Sequence, residues 1–277
     1  MPSISVIIPT CDRPDRLTAA LRSVKSQTLR PAEIIVVDDG TTVLDFPLDN
    51  DVRIVRGVGA AGPSASRNLG VSHANGDFIA FLDDDDRWSE DYLEEVQNAL
   101  HNSTPEVDVA ICRLRFERND GTCRTGDMPD IAELESALLS ANPGFGGSNI
   151  VVRRSFFHRT GGFNEKFLNS NDRDFGLRAI GFGARFILVP DAVAIANTGD
   201  HERISVGLSS VWRKFPFVIH YWRRMNREQR ASNVGRLRRI ARKAIRGRIS
   251  FAIGAVRASL GKARRAFSAH PSVDRRR

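Results

Sequence analysis

The chain has 277 residues, 41% of them apolar and 27% charged, with a formal net charge of +8. Those values suit a soluble protein with a real core, built as one large α/β domain or one domain plus an appendage. Cys11, Cys112 and Cys123 are odd in number and widely spaced, which argues against a disulfide framework and against a cysteine metal motif.

The charge is unevenly spread. Residues 201–277 hold 21 Lys/Arg against 3 Asp/Glu, a net of +18, and the rest of the chain carries a net of −10. A basic appendage on an acidic body follows. The longest uncharged run, Ser136 to Val152, contains Pro143 and three glycines and so is no membrane span. No basic region followed by a long apolar one opens the sequence, so a cytoplasmic protein is expected.

In chain order, Ser3 to Pro9 is apolar and β-branched and reads as a first buried strand. Pro14 suits the first turn of a helix in which Leu17, Ala20, Leu21 and Val24 recur at helical spacing to about Gln27. Glu33 to Val37 is a second strand ending at Asp38-Asp39-Gly40, and strand, helix, strand implies a right-handed parallel unit. Val52 to Val55 is a short third strand. A glycine-rich loop over Gly57 to Pro63 leads into a helix from Ala65 to His73, with Arg67 in its first turn.

Asp77 to Leu82 then reads as a short buried strand, and Asp83-Asp84-Asp85-Asp86 stand at its C-terminal end, where parallel α/β sheets place their ligands. Four adjacent carboxylates repel one another unless a cation is bound, and a hard ion such as Mg2+ or Mn2+ suits carboxylate oxygens. The alternative is a solvated turn in which Asp84 or Asp86 caps the next helix, expected from about Glu90 to His101. A strand over Val107 to Phe116, a helix over Ile131 to Leu139, a short strand at Ile150 to Val152, a helix from Asn171 to about Ile180 and a late strand over Arg185 to Val189 complete a doubly wound α/β pattern.

Four stretches in this order, Ser5 to Thr10, Glu33 to Gly40, Ser64 to Asp86 and Gly161 to Arg178, resemble the family 2 inverting glycosyltransferases. The resemblance covers roughly residues 3–205. It implies a Rossmann-like GT-A fold with a mixed sheet as the catalytic domain, 1–205, followed by a basic, mostly helical extension, 206–277.

The resemblance also implies roles. Thr10 and Asp39, with Asp38 beside it, fall where the family binds base and ribose, and a carboxylate there can accept from an imide N–H or a ribose hydroxyl. A simple turn closed by Gly40 is the alternative for the two aspartates. Arg67 would reach the diphosphate or the sugar with its planar fork. The family's Asp-x-Asp falls on Asp83-Asp84-Asp85, with Asp85 on the metal, Asp83 on ribose or sugar hydroxyls and Asp84, in the variable position, counted among the nucleotide-sugar-binding residues. Asp172 aligns with the base that takes the acceptor hydroxyl's proton. Asp174 is its rival, and Asn171 stands where the family has Glu. Arg178 would hold the acidic site together, as a structural residue rather than a catalytic one. His201 lies in a loop that in relatives closes over the diphosphate, a possible third metal ligand. Gly146, Gly147 and Ser148 would line the acceptor side, and Trp88 would stack on a sugar or anchor the next helix.

In the extension, Leu237, Ile240, Ala241, Ala244, Ile245 and Ile249 form one helical stripe among Arg and Lys. That is the pattern of a helix lying on an anionic bilayer, or of one packed on the body with a solvated basic face. Charge alone would allow nucleic acid, but no recognition fold accompanies it. The final residues, 268–277, are expected to be disordered.

The expected activity is inverting, metal-dependent transfer from a nucleotide sugar, a UDP-sugar first, to a hydroxyl of a saccharide or lipid-linked saccharide in envelope or polysaccharide synthesis. This would take place peripherally at the inner face of the membrane. A transferase acting on a small natural product or a protein is the alternative. From another class, a catalytically silent nucleotide-sugar or membrane-binding scaffold would use the same residues.

Overall fold

The computed structural model describes residues 1–41, 44, 51–59, 61–104, 106–198, 208–243 and 245. His201, Ala244, Ile249 and the 268–277 end lie outside the described residues. The first half follows the expected alternation: β1 (Ile4–Thr10), α1 (Pro14–Lys25), β2 (Glu33–Asp38), β3 (Val52–Arg56), α2 (Pro63–Ser72) and β4 (Phe78–Phe81). These strands lie in the order β3-β2-β1-β4, all parallel. Their C-terminal ends therefore open on one edge, which carries Thr10, Asp39 and the run from Asp83.

Side chains alternate across the pleat, so both faces of each inner strand need cover. Ile4, Val6 and Ile8 of β1 pack with Leu17, Leu21, Tyr92, Leu93 and Val96, the apolar stripes of α1 and α3 (Tyr92–Asn102). Ile7 faces the opposite way, into a cluster with Val37, Val71, Phe81 and Phe175.

The second half makes the sheet mixed. β8 (Ile150–Arg153) is antiparallel to β4, and β6 (Val109–Glu117) is antiparallel to β8. β9 (Phe186–Asn197) is parallel to β6, and β5 (Asp86–Trp88) is antiparallel to the end of β9. A short β7 (Cys123–Thr125) pairs back on β6.

Four elements depart from the sequence-based expectation. The late strand runs eight residues past Val189, because the pairing jumps from Cys112–Val189 to Arg113–Val193. Pro190 and Asp191, poor strand residues, are absorbed in that bulge. β5, β7 and α5 (Arg154–Arg159) were not anticipated; all three are too short for periodicity to speak. Neither Asp84 nor Asp86 caps α3: its N-cap residue is Asp91, and Asp86 opens β5 instead.

An aromatic cluster fixes the two elements that matter for the site. Phe81 of β4 packs on Phe157 and Phe163 with centroids 5.6 and 5.2 Å apart, and both pack on Phe175 of α6 (Asn171–Gly181) at 5.6 and 5.1 Å. Each such pair contributes about 0.5–1.5 kcal/mol beyond burial, so the end of β4 and the start of α6 are held in one rigid frame.

The start of the basic extension is part of the body. α7 (Leu208–Tyr221) sends Phe217 and Tyr221 into the core, with Met225 just beyond it. A further helix, α8 over residues 227–243, docks on α4 (Leu134–Ser140) through Gln229 to Ser136 and through Asn233, which donates to the Leu139 carbonyl at 2.8 Å. Of the stripe expected to lie on a bilayer or to pack on the body, Leu237, Ile240 and Ala241 are half-buried and Ile245 is exposed. Among the described residues no helix is long and apolar enough to cross a membrane.

Candidate active site

A cleft of about 760 Å³ opens along the C-terminal strand edge, lined by Thr10, Asp39, Arg67, Asp83 to Asp86, Gly146 to Ser148 and Asp172. Residues far apart in sequence thus meet in one cavity.

The acidic run divides by direction. Asp84 is turned inward and buried; it accepts from Thr10 Oγ1 at 2.8 Å and pairs with Arg13 at 3.4 Å. Burial above all pushes its carboxyl up to about 6, against the pull of the Thr10 hydrogen bond and Arg13. Thr10 and Asp84 therefore bind each other and tie β1 to the acid turn. Asp83, Asp85 and Asp86 each offer an oxygen within 4.8 Å of the others. Asp86 is driven up to about 8, first by burial and then by the charges of Asp83 and Asp85. Three convergent carboxylates that repel one another fit a hard divalent cation. Arg67 ion-pairs with Asp83, and Arg16 stands 3.9 Å from Asp85.

Asp86, expected either with the cation-binding run or as a cap of the next helix, joins the group, and its place there is set by long-range contacts. It accepts from the Asn197 N–H at 3.2 Å and from Ser148 Oγ at 2.7 Å. Ser148 also accepts from the Asp83 N–H at 3.1 Å. Ser148 was expected to face the acceptor; its hydroxyl instead braces the acid cluster. Gly147 is required by Arg67: a Cβ there would stand 2.6 Å from Nη2.

Asp38 and Asp39 part company, as adjacent residues at a strand end do. Asp39 lines the cleft and accepts from the N–H groups of Gly59 at 3.1 Å and Gly62 at 2.8 Å. Asp38 does not reach the cleft. It is buried, accepts from the Gly40 N–H at 3.0 Å and ion-pairs with Arg56, so the turn reading is the one its geometry supports. Trp88 is likewise away from the cleft: 3% exposed, its ring stacks on Tyr92 at 4.3 Å, and Nε1 donates to the Ser148 carbonyl. Its indole anchors α3 and has no free face for a sugar.

α6 separates the two rival bases. Residues two apart on a helix point about 200° apart. Asp172 faces the cleft, accepting from Asn142 Nδ2 at 2.8 Å and from the Arg173 N–H at 2.8 Å. Asp174 faces the core, held by Arg178 Nε at 2.8 Å and Tyr221 Oη at 2.7 Å. Burial raises the Asp172 carboxyl above its usual range and Asp83 adds to this, while the Arg173 N–H, Arg173 and Arg67 oppose it. A raised carboxylate within reach of the cleft is a serviceable proton acceptor. Asn171, where the family has Glu, donates to Ser64 Oγ at 2.8 Å, tying α6 to α2. Asn142, which no motif flagged, orients the carboxylate.

The remaining wall comes from the extension: Arg213, Lys214, Phe217 and Val218 of α7, with Asn233, Arg236 and Leu237 of α8. No sequence motif placed these residues at the site.

Comparison with known proteins agrees with this arrangement. Residues 5–161 match the family described as Glycosyl transferase family 2. An uncharacterised glycosyltransferase of Haemophilus influenzae is 27% identical over 64% of this chain and 62% of its own length. The Escherichia coli UDP-Glc:alpha-D-GlcNAc-diphosphoundecaprenol beta-1,3-glucosyltransferase WfgD is 34% identical over 61% of this chain and 66% of its own. The match thus spans less than two thirds of either relative. Among solved structures, Staphylococcus aureus TarS 1–349 in complex with UDP-GlcNAc superposes with a TM-score of 0.60 at 18% identity, over 87% of this chain and 74% of that one. The chain belongs to family 2 of the glycosyltransferases and has their GT-A fold.

Proposed function

We propose that the protein transfers a sugar from a UDP-sugar to a hydroxyl of a lipid-linked saccharide, with inversion at the anomeric carbon. The observation that carries this is the presence in one cleft of a proton acceptor, Asp172, and a separate acid cluster at the strand ends. WfgD, whose name states a UDP-glucose donor and a diphosphoundecaprenol-linked acceptor, supports donor and acceptor class.

In this reading Asp39 and the loop it holds receive the nucleoside, and Arg67 faces the diphosphate. Asp83, Asp85 and Asp86 would hold Mn2+ or Mg2+, which when bound supplies positive charge against the leaving diphosphate. Asp172 takes the proton of the acceptor hydroxyl as its oxygen bonds to the anomeric carbon from the face opposite the leaving group. The carbon–oxygen bond to the diphosphate breaks, and the nucleoside diphosphate leaves with the electron pair. Asn142 keeps Asp172 aimed, and Arg173 steadies the carboxylate.

The test is a thermal-shift panel of UDP, GDP, dTDP and CDP with and without Mn2+. UDP with Mn2+ is expected to stabilise the fold by ~2.7 kcal/mol at a hundredfold excess over Kd, and the others far less. No shift with any nucleotide would leave the silent-scaffold reading standing.

A bilayer is the proposed seat of the protein. Trp212, Phe215, Ile219 and Trp222 are 74%, 43%, 58% and 40% exposed, and their spacing makes one stripe along α7 and just past it. Aromatic residues beside a strongly basic segment suit an anionic interface. The third tryptophan, Trp88, is buried, so intrinsic emission reports on the stripe. Anionic vesicles are expected to shift that emission to the blue, while neutral vesicles leave it unchanged. An unmoved spectrum with anionic vesicles at physiological salt would refute the seat.

A further inference from the structure

The cleft carries a second set of charges besides the acid cluster. Arg213 and Lys214 of α7 and Arg236 of α8 line it on the side where Asp172 stands. Arg173, in the same wall, is already committed: Nε donates to the Leu138 carbonyl at 2.7 Å, and Nη2 reaches Leu139 and Asn233. The other three have no ion-pair partner among the described residues, and Arg236 reaches only the Ser140 carbonyl, at 3.4 Å.

Lys214 feels the neighbouring guanidinium groups. Burial first, then Arg236 and Arg173, lowers the proton affinity of Lys214, and only Asp172 among the acids opposes this. Asp172 offsets one charge of the wall, and Arg213, Lys214, Arg236 and Arg173 together outnumber it. Half-buried like charges brought together by two helices cost free energy unless an anion joins them. The donor does not need them, since Arg67 and the acid cluster stand at the strand ends. The group that meets this wall belongs to the molecule whose hydroxyl approaches Asp172.

We propose that Arg213, Lys214 and Arg236 form an acceptor subsite for the diphosphate of a lipid-linked saccharide, so that α7 and α8 read the acceptor while the strand ends read the donor. The proposal rests on the transferase reading and assigns to named residues what that reading leaves open. α7 suits the task because its outward stripe of Trp212, Phe215 and Ile219 lies on the same helix as Arg213 and Lys214. A lipid seated against the stripe would have its headgroup at the mouth of the cleft.

Calorimetry on the full chain, saturated with UDP and Mn2+, tests this with farnesyl diphosphate, inorganic pyrophosphate and farnesol as probes. Farnesyl diphosphate is expected to bind and farnesol not to. Lys214→Gln with Arg236→Gln should weaken farnesyl diphosphate by about a hundredfold or more, since two charge-assisted hydrogen bonds are lost and each is worth about 1.5–3 kcal/mol. Lys214→Arg, which keeps the charge, should bind as wild type does. Pyrophosphate binding with the same dependence on Lys214 and Arg236 would show that the diphosphate itself is read. The proposal is overturned if wild type binds no farnesyl diphosphate, or if the double variant binds it equally well. It is also overturned if the double variant, with an unchanged melting temperature, loses UDP by the same factor, because the cations would then serve the donor. Failure of wild type to bind UDP would instead refute the UDP-sugar reading.

Discussion

Asp172→Asn is expected to lower kcat by about a hundredfold to ten-thousandfold, the usual worth of a positioned proton acceptor, with donor KM and melting temperature little changed. Asn is isosteric but has one acceptor where Asp172 has two, so it keeps a partner in either Asn142 or the Arg173 N–H and not both, and it cannot take a proton. The carboxylate it replaces is held above its usual range by burial, so the fold gains nothing at neutral pH from that charge, and the melt should fall by no more than the one lost hydrogen bond, about 0.5–1.5 kcal/mol. The raised value also sets the pH profile. Turnover needs the ionised form, so kcat falls as pH drops through the Asp172 pKa, and the acid limb disappears in the variant. Asp174→Asn should behave in the opposite way. It leaves Arg178 facing a neutral partner in the core and strips Tyr221 of an ionised acceptor. Breaking a buried pair costs about 3–5 kcal/mol, so the melt falls while the surviving folded enzyme turns over. Steady-state turnover of UDP-sugar, to acceptor or to water, together with a melt, separates the two. Asp172→Asn turning over within tenfold of wild type would remove Asp172 from the chemistry.

The two aspartates show what the sequence could and could not tell. The start of α6 was legible from the resemblance and from helical spacing, and a 3.6-residue period already says that Asp172 and Asp174 point apart. Which of them meets the cleft depends on Tyr221, 47 residues from Asp174. Asp38 and Asp39 present the same problem at a strand end: alternation says one of them turns away, and the loop from Gly57 to Pro63 decides which. Trp88 could stack or anchor until Tyr92 was seen beneath its ring.

The parallel half of the sheet was readable because β1, β2 and β4 are buried on both faces and so are written as unbroken apolar runs. The antiparallel half was harder. β5 is three residues long, and β9 contains a bulge holding Pro190 and Asp191. Its last turns carry Asn197 to Asp86, which makes Asp86 a member of the acid cluster rather than a cap. The largest omission was the cleft wall formed by α7 and α8. Its basic composition was plain, but a charge run has no direction until Phe217, Tyr221 and Asn233 fix which face turns inward.

Removing one cluster carboxylate should abolish the response to a divalent cation and change the slope of stability against pH. Asp86, ordinarily near 3.8, is raised to about 8 by burial and by the charges of Asp83 and Asp85. Without a cation the folded state keeps a proton that the unfolded state gives up. Its contribution is therefore full below the ordinary carboxylate value and is lost as pH rises through the raised one. Stability without added metal should thus decline across the neutral range, and Asp84, raised to about 6, steepens the lower part. Mn2+ competes with the proton on these oxygens, so its stabilisation should grow toward pH 8, reaching ~2.7 kcal/mol at a hundredfold excess over Kd. Asp85→Ala deletes one ligand oxygen and one of the charges that raise Asp86. Its melts in chelator should decline less with pH than those of wild type. Addition of Mn2+ should leave them in place, and metal-dependent hydrolysis of UDP-sugar should be lost. An Asp85→Ala protein that Mn2+ stabilises as well as it stabilises wild type would mean that the ion is held elsewhere, and that the three acids form a solvated turn.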